Sequence, residues 1–384
     1  MSAAGKRRAA PKERSLGTLR SAVARADAEI LRLIAHRLEL AREIGRHKLE
    51  RGLPIQDFGI ERLVLERNRD RARSLGLGSE TADDVSKMLI RHAVRVQDEG
   101  HEARRRAERP GRARRVLVVG GAGGMGRWLA SYFDSFGDDV TIVDPKASRR
   151  AAPFRIARGL ARESREAEVI AIAVPIGATA AVLRQVARSR TEALVFDIAS
   201  LKTPVARAIE RTQEAGLRVA SVHPLFGPDA TILSGRNIVF CRTAPRDFSS
   251  DAKRLFEDTT ARLITVPIER HDEIMSRVLG LSHLVNLVFA STLASSGLAF
   301  RDLRPFGSTT FNSQLEVARR VVRENQDLYY EIQSENAFTP DVLGEFASSL
   351  ERFSKAIAQR DRRRFKLLME EAHRYLERAR KPKR

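Results

Sequence analysis

Three short segments hold the side chains best suited to chemistry on a small polar substrate. In the first, Arg115-Val-Leu-Val-Val runs into Gly-Gly-Ala-Gly-Gly-Met-Gly126, and Gly121, Gly123 and Gly126 fit the spacing G-x-G-x-x-G. Glycines at these steps allow a tight turn, close approach of the backbone to a pyrophosphate, and packing of the next helix on the strand. The N–H groups of that helix face the phosphates. A second apolar run, Val140–Val143, ends in Asp144, 23 residues after Gly121, where a carboxylate would bind the adenosine ribose diol. The carboxylate favours NAD over NADP, and Lys146, Arg149 and Arg150 soften that preference. Met125 lies in the turn, and Val174 and Pro175 end a later strand on the side expected to meet the nicotinamide. The second segment, Phe196-Asp-Ile-Ala-Ser200-Leu-Lys202, and the third, Val222-His223-Pro-Leu-Phe-Gly-Pro228, end two further strands. Hydride loss from an alcohol carbon needs a group to take up the hydroxyl proton. His223 is the candidate base, and Ser200 stands where it could orient it.

The elements that must carry these residues follow from apolar periodicity. Leu19, Val23, Ala26, Ile30, Leu33, Ile34, Leu38, Ala41 and Ile44 recur at helical steps, which predicts one long helix over about 16–50, ended by Gly52 and Pro54. Two shorter helices follow, over about 60–75 and 81–97. Three helices cannot bury so long a stripe, so a partner helix from a second copy is expected. Beyond residue 115 short apolar runs alternate with helical segments: 116–119, 140–143, 169–174, 194–196 and 217–222. That alternation predicts a parallel sheet covered on both faces. From about Glu269 the pattern is helical to the end.

Charge and composition narrow the classes. The chain has 384 residues, 42% of them apolar, and a net charge of +20. Residues 1–14, 101–115 and 360–384 carry +16 of that excess, so basicity sits at the ends and at one internal junction. Solvated tails and a linker explain it, and aromatics for stacking on single strands are scarce among the N-terminal bases. No nucleic-acid partner is expected. The single Cys241 excludes an intrachain disulfide framework, and eight scattered histidines give no metal-ligand spacing, so no metal site is expected. The N-terminus lacks an apolar signal core, which points to the cytoplasm. Val278–Phe300 runs 23 residues without a formal charge. Its serines, histidine, asparagine and glycines favour a buried interface helix over a membrane span.

The motifs HPLFGPDA, DIASLK and GGAGGMG resemble prephenate dehydrogenase, and the N-terminal helical part resembles an all-helical chorismate mutase. Together the arrangement is similar to the bifunctional chorismate mutase/prephenate dehydrogenases of tyrosine biosynthesis, over about residues 16–380. The resemblance implies NAD-dependent oxidative decarboxylation of prephenate to 4-hydroxyphenylpyruvate, with aromatisation as the driving force. It implies that His223 hydrogen-bonds the ring hydroxyl and Ser200 supports it. Arg320, or Arg319 in the neighbouring register, would bind a substrate carboxylate, and His271 would lie near the substrate. Asn312 stands where bifunctional enzymes often carry a further arginine. The C-terminal helices would form a homodimer.

For the mutase, the resemblance carries over to Arg20, Arg37, Lys48, Asp57, Glu61 and Gln97. Its rearrangement is unimolecular and needs only a compact dianion and a positive or hydrogen-bonding group at the breaking ether oxygen. Lys48 and Gln97 would address that oxygen, and Asp57 and Glu61 the substrate hydroxyl. Arg37 and Lys48 are eleven residues apart, which at ~100° per residue puts them on one helix face. Arg20 lies 17 residues before Arg37, roughly 25 Å away along the helix, too far for the same pocket unless a partner supplies it. Two positions depart from the pattern: Ile60 replaces an arginine and Ala93 a serine.

The expected organisation is multidomain. An all-α three-helix mutase-like domain (16–100) and a basic linker (101–114) precede an α/β Rossmann-type NAD-binding domain (115–267). An all-α C-terminal domain for substrate and dimerisation (268–380) follows. The alternative is an arogenate dehydrogenase with a non-catalytic N-terminal module for dimerisation, regulation or nucleic-acid interaction.

Overall fold

The computed structural model describes residues 15–51, 58–108, 113–147, 154–230, 233, 236–257, 259 and 261–378. Helices α1 (Leu16–Glu50), α2 (Phe58–Ser74) and α3 (Ser79–Glu108) belong to the first of two compact units. Ser15 caps α1, its hydroxyl accepting from the Thr18 N–H at 3.2 Å. Helix α3 continues through Glu108, so the first eight residues of the expected linker are helix; residues 109–112 lie outside the described residues. The long stripe of α1 is only partly covered within the chain. Ala41 and Gly45 are buried, while Leu19, Val23, Ile30, Leu33 and Ile44 are exposed.

The second unit holds an eight-stranded sheet in the order β3-β2-β1-β4-β5-β6-β7-β8. Its strands are β1 (Arg115–Val119), β2 (Asp139–Val143), β3 (Arg155–Ala157), β4 (Val169–Ile172), β5 (Leu194–Asp197), β6 (Arg218–Pro224), β7 (Asn237–Arg242) and β8 (Arg262–Pro267). Strands β1 to β6 pair in parallel and β7 returns antiparallel to β6, with His223 opposite Val239. The order reverses between β1 and β4, which opens a crevice at their C-terminal ends. Strands β3, β7 and β8 add to the five that the apolar runs predict.

Between the strands run α4 (Gly124–Ser135), α5 (Leu160–Glu166), α6 (Ile176–Arg188), α7 (Thr203–Glu214) and α8 (Ser249–Arg254). One face of the sheet packs Leu117, Ile170, Ile172 and Val195 against Leu183, Val186, Val205 and Ile209 of α6 and α7. An aromatic cluster includes Phe133, Phe196, Phe240 and Phe256, with Tyr132 stacked on Phe256 at 5.2 Å. Fully apolar strands such as β4 are what a sheet covered on both faces requires.

The chain then turns helical: α9 (Ile268–Met275), a π-helical turn (Ser276–Leu281), α10 (Ser282–Ala294), α11 (Phe300–Leu303), α12 (Thr309–Arg323), α13 (Gln326–Ser334), α14 (Thr339–Ala358) and α15 (Arg362–Arg378). The continuous stretch Ile268–Ala294 is long and apolar enough to cross a membrane by length and composition, and 22% of its most apolar window is buried. Exposed apolar side chains recur on these helices, among them Val278, Val288, Leu350, Ile357 and Leu376.

A buried ion pair ties the sheet together behind its C-terminal edge. Lys202 Nζ lies 2.9 Å from Asp197 Oδ1 and donates to the Val222 carbonyl at 2.9 Å, with both side chains out of solvent. It joins the end of β5 to the backbone just before His223. Substituting Lys202→Met leaves the Asp197 charge buried without its cation. The variant is expected to lose about 3–5 kcal/mol of stability, measured as a lower urea midpoint with unchanged slope.

Candidate active site at the sheet's C-terminal edge

The glycine turn joins β1 to α4. Gly120 has φ of +85° and receives the Val143 carbonyl on its N–H at 2.8 Å, so the turn is anchored to β2. Its doublet partner Gly121 is buried beside Ile142. A side chain at Gly126 would collide with the Gly120 carbonyl, so this third glycine is what lets α4 begin so close to β1. Gly123 caps α4 without any side-chain hydrogen bond, which leaves the first N–H groups of the helix open. Met125 is half-buried in the first turn. Asp144 Oδ2 accepts from the Ala122 N–H at 3.0 Å and Oδ1 from the Lys146 N–H at 2.7 Å, which fixes the carboxylate beside the turn. Val174 reaches the Gly120 backbone, and Pro175 caps α6. These residues fit NAD: an open helix N-terminus for the pyrophosphate and a fixed carboxylate for the ribose diol. Arg149 and Arg150 lie outside the described residues. Gly120 was not among the spaced glycines, although the Gly120-Gly121 doublet signals it.

Further along the same sheet edge, at the end of β6, stands a buried polar cluster. His223, at the end of β6, is 4% exposed. Its Nδ1 lies 3.0 Å from His271 Nε2, and His271 Nδ1 lies 2.6 Å from Asp272 Oδ1. Both residues belong to α9. Asp272 Oδ2 also accepts from the Thr203 N–H and hydroxyl, each at 2.6 Å, and from the Lys202 N–H at 3.0 Å. The Asn336 side-chain amide holds the Asp272 carbonyl at 3.0 Å. Asp272 thus caps α7 while belonging to α9.

His271 is buried and is hydrogen-bonded on both ring nitrogens, to His223 and to Asp272. Ser200 is half-buried and makes no hydrogen bond among the described residues, so the group that holds His223 is His271. Sequence reasoning passed over Asp272, although the adjacent His-Asp pair was a signal. His283 was also passed over; it stacks on Tyr329 at 4.2 Å, just after the π-helical turn.

Arg320 is exposed on α12, and no described contact joins it to the His223 cluster. Its neighbour Arg319 lies over the Phe300 ring at 5.2 Å and pairs with Glu316 at 3.4 Å, so Arg320 is the uncommitted guanidinium of the two. Helix α12 is anchored to α10 by the Gln314 amide donating to Asn286 Oδ1 at 2.9 Å. Asn312 donates to the Gly307 carbonyl at 3.1 Å and closes the turn before α12.

In the N-terminal unit, Gln97 of α3 packs on Gly45 of α1, is 7% exposed, and its Oε1 has no hydrogen-bond partner among the described residues. Arg37 donates to the Leu89 carbonyl at 2.8 Å. Burial, then the nearby Arg67 charge, lowers its pKa. Lys48 is half-buried on the same helix, and Arg20 is exposed far along it. Asp57 lies outside the described residues, as do the side chains of Ile60 and Glu61.

Residues 19–98 match the type II chorismate mutase family. Residues 134–265 match the nucleotide-binding domain of prephenate dehydrogenase and residues 267–371 its dimerization domain. The chain is a prephenate dehydrogenase fused to a chorismate mutase. The nucleotide-binding match begins after the glycine turn, so there the turn's own geometry carries the assignment. The fusion is 26% identical to a T-protein of Enterobacter agglomerans, over 89% of this chain and 87% of that protein. It is 25% identical to a probable arogenate/prephenate dehydrogenase of Methanocaldococcus jannaschii, over 67% of this chain and 60% of that one. The fold is shared with a prephenate dehydrogenase from A. aeolicus solved with hydroxyphenyl propionate and NAD+. That likeness has a TM-score of 0.58 and 19% identity, over 70% of this chain and 99% of the other.

Burial holds the pKa of His223 well below the ordinary histidine value of 6.5, helped by the nearby His271 and Lys202. Burial also lowers His271, against the pull of Asp272, and lowers His283. For Asp272, burial raises the pKa, but hydrogen bonds from His271, Thr203 and Lys202 outweigh it and bring it to about 2. Each of these histidines binds a proton more readily unfolded than folded. Their contribution to stability is therefore present above pH 6.5 and lost as pH falls below it. Asp272 stays ionised through that window. The urea midpoint is expected to drop between about pH 7.5 and about pH 5.5.

Proposed function

We propose that the fusion runs two consecutive steps: chorismate to prephenate among α1–α3, and NAD-dependent oxidative decarboxylation of prephenate to 4-hydroxyphenylpyruvate at the C-terminal edge of the sheet. The observation that carries the dehydrogenase reading is His223, a buried histidine whose pKa is held low and whose Nδ1 is engaged, on the same sheet edge as the open dinucleotide turn. Bound NAD supplies the hydride acceptor. His223 Nε2 takes the ring hydroxyl proton as carbonyl character develops at the carbinol carbon, and returns it to the phenolate oxygen once CO2 has left. Ser200, at the neighbouring strand end, adds a hydrogen bond to the hydroxyl or to the carboxamide of the cofactor. Arg320 binds a substrate carboxylate, because Arg319 is already committed to Phe300 and Glu316.

The mutase reading rests on Gln97, whose side chain is buried between α1 and α3 and whose Nε2 amide is the group able to donate to the ether oxygen. Arg37 and Lys48 hold the carboxylates, Asp57 and Glu61 the hydroxyl, and Arg20 comes from a second copy. The exposed stripe of α1 supports a homodimer there, and the apolar C-terminal helices support a second dimer contact. Ile268–Ala294 starts with His271 and Asp272 locked into the site, which supports an interface helix in a cytoplasmic enzyme rather than a membrane span.

With prephenate and NAD, the full-length protein should form NADH. His223→Ala should lower kcat by at least about 100-fold while leaving NAD affinity nearly unchanged; equal losses in both would remove His223 from the chemistry. The mutase should be slow, because Ile60 withholds a cation from a dianion pocket. Ile60→Arg restores a charge-assisted hydrogen bond, typically worth about 1.5–3 kcal/mol, so mutase kcat/KM should rise by about 10- to 100-fold with dehydrogenase turnover unchanged.

A further inference from the structure

His223, His271 and Asp272 form one continuous hydrogen-bonded line, at 3.0 Å and 2.6 Å. The protons on that line are determined by its far end. Asp272 is ionised and both its oxygens accept from the start of α7, so Oδ1 accepts and His271 Nδ1 carries a proton. In a neutral His271, Nε2 is then a lone pair. That nitrogen accepts, so His223 Nδ1 carries the next proton and His223 Nε2 is left as a lone pair. Among the described residues nothing else hydrogen-bonds His223.

We infer that His271 and Asp272 are positioning residues that fix His223 in the tautomer whose Nε2 can accept the substrate proton, and that Asp272 steadies the imidazolium once it forms. The inference rests on His223 as the base, and gives His271 a role the sequence pattern did not. The rings are tilted by 53° with centroids 5.1 Å apart, so they meet through their nitrogens rather than by stacking. The charged groups around them agree with it. Lys202, at the start of α7, faces His223 and opposes protonation at rest, and its own charge is matched by Asp197 of β5. Cys241 of β7 is kept as a neutral thiol by burial, its pKa pushed up to about 12. Among the described residues, Asp272 is therefore the anion able to answer a proton arriving on His223 through a hydrogen-bonded path.

Asp272→Asn tests this with little change of shape. The remaining carbonyl oxygen can still cap α7, while the amide now donates toward His271 Nδ1. That reverses the line: His271 Nε2 would carry the proton, His223 Nδ1 would accept it, and Nε2 would become N–H. The expected result is a loss of kcat of about 100- to 10,000-fold, with KM for prephenate and affinity for NAD nearly unchanged. In the ring-nitrogen NMR spectrum of histidine-labelled, NAD-bound full-length protein, wild-type His223 should show a protonated Nδ1 and a bare Nε2, and the variant the reverse. Unchanged kcat in the variant, or a wild-type His223 protonated on Nε2, overturns the inference. A loss seen mainly in KM also overturns it, since that marks His271 as a substrate contact. The wild-type spectrum decides even if the variant does not fold. If His223→Ala keeps its activity while the tautomer is as stated, the fault lies in the choice of base and not in the hydrogen-bonded line.

Discussion

The carboxylate of Asp272 is the point on which the catalytic half depends. Both oxygens accept from the start of α7, and Oδ1 also anchors the histidine that holds His223. The main-chain carbonyl of Asp272 is held by Asn336, in the turn between α13 and α14. Remove the charge and three things lose their reference together: the helix N-terminus that follows the DIASLK segment, the orientation of His223, and the docking of α9 on the sheet. A buried carboxylate is costly unless every acceptor position is used. Here hydrogen bonds from the imidazole, the hydroxyl and the backbone N–H groups of α7 outweigh burial, so the group stays ionised far below neutral pH.

A second constraint sits directly behind the first. Lys202 and Asp197 are a fully buried pair, and Lys202 also holds the carbonyl of Val222. The lysine fixes the main chain of the strand end that bears His223, while His271 fixes its ring. Both are needed, because strand pairing alone sets where the Cα stands and leaves the ring free to rotate. The DIASLK segment is in this light a framework: its aspartate and lysine face inward and hold the strand end that bears His223.

Much of this was legible in the sequence, and what was not has physical reasons. Helix α1 could be bounded from its apolar steps because a regular 35-residue pattern leaves little room for error. The five parallel strands were legible as apolar runs because both faces are buried. Strand β3 has only three residues at an edge, and β7 and β8 come after the parallel pattern has ended, so no alternating helix announced them. In the site, the glycine turn, Asp144 and His223 could be read because their spacing expresses the chemistry. The link between His223 and α9 spans 48 residues and depends on how two layers meet, which no local pattern encodes. The resemblance marked His271 as important, and only the folded chain shows its hydrogen bond to His223.

The two halves solve opposite electrostatic problems, and this is why one set of charges is legible and the other is not. The mutase has no proton to move. It needs cations and donors aimed at a dianion, so its determinants are residue types at helical spacing, and a single substitution such as Ile60 is visible in the sequence as a missing charge. With His223 as the proposed base, the dehydrogenase needs a histidine that is neutral at rest yet able to hold a proton briefly. That demands a dry site, which lowers the histidine pKa, together with an anion at one remove, which limits the cost when the proton arrives. An anion in direct contact with His223 would have raised its pKa and left it protonated at rest. Placing Asp272 one imidazole away reconciles the two demands, and that separation exists only in the folded chain.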